Sequence, residues 1–176
     1  MPEWPVYVDG WQLECCGAPF AVGEEVEWTL MLSSDRSVSS DLVVELSGTV
    51  DQAVCDEERS GCIIRSGGLR AWVEDAEAGQ HFRARGLLCE DHHGAMPEGV
   101  PSTLGTVQRI QMVTRPYIRA SERMWIPKPG AVEFRDLSAS PAGFTDEETL
   151  PELRRIQVGL LVSVDVHDVT TADDGS

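Results

Sequence analysis

Apolar and polar residues alternate with a period of two along most of the chain. Val26, Trp28 and Leu30 interleave with Glu25, Glu27 and Thr29, the pattern of a strand with one buried face and one wet face. Strand character also marks residues 4–8, 42–54, 62–64, 69–74, 81–89, 106–113, 132–134 and 156–166. Asp9-Gly10 reads as a turn or bulge, after which Trp11-Gln12-Leu13 resumes the extended pattern. Gly23-Glu24 predicts a tight turn with Gly23 at φ near or above zero. Val107 and Ile110 share a face only if a bulge lies between them. Residues 33–40, 90–101 and 138–149 read as loops, and Asp146-Glu147-Glu148 ahead of Leu150 and Leu153 reads as the first turn of a short helix. There is no internal repeat, heptad pattern or long amphipathic helix. Many short strands separated by glycine and proline predict a mainly β fold, a small partly open barrel or sandwich. The expected organisation is one domain over residues 1–167 and a flexible acidic tail over 168–176.

Two segments, Phe20-x-Val22-Gly23-Glu24-x-Val26-x-Trp28 and Gly105-Thr106-Val107-x-x-Ile110, resemble strand openings of SH3-like barrels. Their wide separation in the chain implies a long β-rich insertion at about residues 33–90. A second resemblance is carried by Val8-Asp9-x-Trp11-Gln12-x-x-Cys15-Cys16-Gly17-x-Pro19-Phe20-x-Val22-Gly23 and by His92-His93-Gly94…Pro97…Gly105-Thr106-Val107. These segments look like a family of small actinobacterial proteins of unknown function. That resemblance implies a bacterial, cytoplasmic protein and brings no activity with it.

Charge narrows the partners. The formal net charge is −16, which repels nucleic-acid phosphates and anionic headgroups, so both are disfavoured. Arginine almost wholly replaces lysine, with Lys128 the single exception, a composition typical of high-GC bacterial genomes. No apolar run approaches the roughly 20 residues that span a bilayer, and no signal peptide is visible; a cytoplasmic location is expected. Cys15, Cys16, Cys55, Cys62 and Cys89 are then expected as free thiols.

Three readings of function remain. The first is a non-enzymatic module that binds a protein partner or small ligand. The second is a zinc module or metal-dependent enzyme built on Cys15, Cys16, Cys89, His92 and His93, which together offer enough thiol and imidazole donors for one ion. Against it, neighbours on an extended strand point to opposite faces, so each pair needs a local turn, which Gly17 and Gly94 permit. The expectation is that the two segments lie apart. The third is a nucleic-acid-binding barrel. It rests on a locally basic strip, Arg109, Arg115, Arg119, Arg123 and Lys128 with Tyr117 and Trp125 interleaved, which suits an anionic ligand. The competing expectation is that these arginines neutralise carboxylates of the same chain. No nucleophile elbow, catalytic-cysteine signature or phosphate-binding glycine loop is present.

Overall fold

The computed structural model describes residues 3–34, 39–77, 79, 81–91 and 93–168. The protein is mainly β. Its elements in chain order are β1 (Glu3–Asp9), α1 (Gly10–Cys16), β2 (Glu25–Trp28), β3 (Leu30–Ser33), a 3-10 turn (Ser40–Leu42), β4 (Val44–Ala53), β5 (Gly61–Ser66) and β6 (Leu69–Glu74). β7 (His81–Glu90), β8 (Thr103–Ser121), β9 (Met124–Pro127), β10 (Glu133–Leu137), β11 (Asp146–Thr149) and β12 (Leu153–Val166) follow. All strands join one sheet in the order β10-β8-β12-β1-β7-β3-β6-β5-β4, with β2 and β9 on β8 and β11 on β12. β4 also pairs with β7, so that end of the sheet curls into a partial ring. The strands between residues 33 and 90 are hydrogen-bonded into the same sheet as the rest. Among the described residues no helix is long and apolar enough to cross a membrane.

Alternation decides the packing. Val6, Val8, Leu30, Leu46, Ile64, Leu88, Val107, Ile110, Met112, Leu160 and Val162 form the main core. Val107 and Ile110 both reach it because β8 carries an extra residue, Gln108, between the register pairs Arg109–Ser163 and Val107–Val164; this bulge restores the face that odd spacing would have lost. A second cluster packs Trp72 against Val54, Ile63 and Met96, and the indole N–H of Trp72 donates to the Val54 carbonyl at 3.1 Å. A third lies around Leu42, Leu87 and Val113, with Tyr7, Cys89, Val158 and Leu161 against it.

The turn at Gly23 is present, with φ +90°. The Glu24 N–H closes it onto Ala21 O at 3.1 Å. Two expectations are corrected. Residues 11–13 are helical, within α1: the Asp9 carboxylate accepts the Trp11 N–H at 3.2 Å, an N-cap that starts a helix where alternation suggested a strand. Residues 146–149 form β11, because its partner β12 supplies a ladder and ion pairs from Arg154 to Asp146 and Arg155 to Glu148. Val158 packs against the third cluster and not in the main core, where β12 bulges between Gln157 and Gly159.

Candidate thiol–imidazole centre

β1 and β7 run parallel, with Tyr7 opposite Cys89. Parallel neighbours release the chain at the same end of the sheet. The segment leaving β1 is α1, and the segment leaving β7 is the loop that begins at Asp91, so the two emerge side by side. Gly17 ends the helix by donating its N–H to Leu13 O at 3.1 Å. A Cβ on Gly17 would lie 2.4 Å from Leu13 Cδ1, so the chain at this helix end tolerates no side chain without moving Leu13, which is buried.

This places Cys15 and Cys16 at the tip of α1. On a helix, successive side chains are about 100° apart, against 180° on a strand, so two adjacent cysteines can address one point. Cys16 Sγ lies 3.1 Å from Cys15 Sγ and 2.9 Å from His93 Nε2. The three donor atoms all lie within 4.8 Å of one another, and all three residues are exposed. The two segments therefore meet, against the expectation that they lie apart; the reason is the helical spacing of the cysteines and the parallel strand pairing. His92 lies outside the described residues.

The His93 loop is held from below. Asp91 is 4% exposed. Its carboxylate accepts the His93 N–H at 3.1 Å and the Ala95 N–H at 2.7 Å, so it serves the loop backbone. Gly94 turns the chain at φ +84°, and its carbonyl accepts from the Arg59 guanidinium. Arg59 is itself fixed by Asp56, whose Oδ2 accepts from its Nε at 3.1 Å and Nη2 at 2.6 Å; that pairing holds the Asp56 carboxyl below the usual carboxylate range. The His93 ring packs on Trp11, centroids 4.6 Å apart. Trp11 and Cys15 are four residues apart and so lie on one face of α1.

Electrostatics distinguish the thiols. The hydrogen bond between Cys16 and Cys15 raises the Cys16 thiol above its ordinary value. Cys89 faces the third cluster, outside the Cys15–Cys16–His93 group; burial first, then Asp9, pushes its thiol up to about 12. Cys62 is buried and donates to Ala76 O at 2.9 Å, and all five cysteines are free thiols.

α1 separates two clefts. One, of about 480 Å³, is lined by Cys16, Leu13, Phe20 and Trp28, with Glu24, Glu25, Glu27 and Glu90 among its walls. The other, of about 490 Å³, is lined by Trp11, Tyr7, Phe144, Arg115 and Tyr117 among others. Arg115 and Tyr117 are the members of the basic strip that reach a cleft. Arg109 makes two bonds to Asp136, at 2.8 and 3.1 Å. Arg119 donates to the carbonyls of Ser121 and Glu122. Arg123 is exposed in the β8–β9 turn, and Trp125 sits opposite Arg119 with the Arg154 guanidinium 5.5 Å from its ring centre.

Sequence reasoning overlooked Trp11 and Arg59 as parts of this centre, and did not anticipate that Asp91 holds the loop backbone. The signal for Asp91 was local: an aspartate followed by His-His-Gly is a turn former whose carboxylate caps downstream amides.

A family model covers residues 2–166. The chain belongs to DUF6578, a family of unknown function. No curated protein and no solved structure matches it.

Proposed function

We propose that this chain is a non-enzymatic binding module whose ligand is a single zinc ion, held by Cys15, Cys16 and His93. The observation that carries the reading is the convergence of two thiols and one imidazole nitrogen within 4.8 Å, although His93 is 77 residues from Cys16. Two thiolates and an imidazole are a borderline-soft donor set, the kind zinc takes. Tetrahedral bond lengths ask for about 3.8 Å between sulfurs and about 3.6 Å between sulfur and nitrogen. The present 3.1 and 2.9 Å reach those values with a shift of under an ångström at exposed side chains, and solvent fills the fourth position. Zinc is ligated by thiolate, so uptake of the ion is coupled to release of protons. The carboxylates of the cleft beside Cys16 and the net charge of −16 raise the local cation concentration.

A cysteine enzyme fits the same residues less well. The Cys16 thiol is shifted upward, opposite to the lowered thiol of a cysteine nucleophile. Asp91, the carboxylate beside His93 in the chain, is engaged by backbone amides.

The test is elemental analysis and zinc titration of protein prepared under reducing conditions. One zinc per chain is expected. Cys15→Ser, Cys16→Ser and His93→Ala should each weaken binding by about 100-fold or more, since loss of an orienting partner alone costs about 10–100-fold. Quenching of Trp11 fluorescence should track occupancy, because its ring touches His93. Absence of saturable zinc binding in the micromolar range refutes the reading.

A further inference from the structure

The site differs from a structural zinc site in three ways that bear on how the ion would leave it. Among the described residues only three donors converge, where a structural site supplies four. All three are exposed, so an incoming ligand meets no wall. The main core is built of buried residues, with neither Cys15, Cys16 nor His93 among them, so its packing does not run through the ion's ligands.

We propose that the chain is a zinc carrier: it passes its ion directly to a thiol-bearing acceptor by ligand substitution. This rests on the zinc reading above. An acceptor sulfur displaces the water at the fourth position, forming a sulfur–zinc bond as the zinc–water bond breaks and the water leaves to solvent. One bond to Cys15, Cys16 or His93 then breaks. The proton lost by the incoming thiol is taken up by the departing thiolate or imidazole, so each step is neutral in protons and electrons and no redox partner is required. Repetition moves the ion across. The acidic cleft that includes Cys16 favours an acceptor segment that brings cationic residues beside its cysteines, by charge complementarity.

The experiment loads the full chain with one equivalent of zinc and mixes it with rising concentrations of a synthetic peptide carrying two Cys-x-x-Cys pairs. Transfer is followed through Trp11 fluorescence. Direct hand-over predicts a rate that climbs linearly with peptide concentration. It also predicts that a peptide with lysines flanking its cysteines is faster than one with glutamates, and that the melting temperature changes by only a few degrees on removal of zinc. A rate that plateaus at a value independent of the peptide means that zinc must dissociate first, and overturns the carrier proposal while leaving zinc binding intact. Unfolding on zinc removal would likewise make the site structural and overturn it. Failure to retain zinc at the loading step is a different result: it removes the zinc reading itself, and the carrier with it.

Discussion

Asp91→Asn isolates the device that holds His93 in place. In the native loop one buried carboxylate accepts two backbone amides, from His93 at 3.1 Å and Ala95 at 2.7 Å. A carboxamide has a single oxygen. One amide keeps a neutral acceptor, and the other faces an NH₂ group that also donates. Losing a hydrogen bond to a charged acceptor costs about 1.5–3 kcal/mol. For a chain of 176 residues the melting temperature falls by about 2–4 °C per kcal/mol, so the variant should melt up to about 12 °C lower. A smaller drop is expected if the loop opens on its own before the sheet does. Because the loop must be reordered to present His93, the same cost weakens zinc binding by about 10–150-fold. Native-state hydrogen exchange reads the loop without any metal: the Ala95 amide should lose protection while amides of β8 and β12 keep theirs. Unchanged protection at Ala95 refutes the reasoning, whatever the zinc affinity shows.

Gly23→Val should destabilise the fold by about 1–3 kcal/mol, read by urea unfolding, since nothing lies within 4 Å of a Cβ there and the cost is that of φ +90° alone; an unchanged midpoint would count against it. Trp72→Ala should cost about 3–5 kcal/mol by the same measurement, because the side chain is 1% exposed and its removal leaves a cavity beneath Val54, Ile63 and Met96. Alkali should weaken the native state. Burial raises Tyr7 and Cys89 above their ordinary values, so as pH climbs through the unfolded values the unfolded chain releases protons that the native chain keeps, and stability falls. The Cys89 part of this loss runs up to about pH 12, and Cys89→Ala should flatten it in pH-dependent melting; an identical slope would show that Cys89 does not contribute.

The strands were legible wherever one face is buried and the other wet, as in residues 25–28 or 106–113, because alternation is a local property. α1 was missed because seven residues span only two turns, too few for a 3.6 period to outweigh Trp-Gln-Leu read as extended; the cue that mattered was Asp9, whose carboxylate caps the helix. β11 was missed for the opposite reason. Asp146-Glu147-Glu148 carries a helix-start composition, and what makes it a strand is β12, a partner that lies later in the chain. The residues of the candidate site were legible as a list of donors. Their meeting was not, since it depends on the parallel pairing of β1 with β7, across a separation of about 80 residues that no local pattern encodes.

That arrangement also has a consequence in time. Of the strands described, β1 is made first and β12 last, yet they are neighbours, paired from Glu3–Asp165 to Asp9–Gly159. β1 therefore waits through the synthesis of every intervening strand without its antiparallel partner. One edge of β1 stays unpaired until residues 159–165 appear, the kind of long-range closure that slows folding and leaves strand edges open to wrong partners. α1 is seated against β12 as well as β1, so Cys15 and Cys16 gain their final position only at that closing step. A nascent chain would display two adjacent thiols before it owns a site to put them in, and the cell's handling of this protein must bridge that interval.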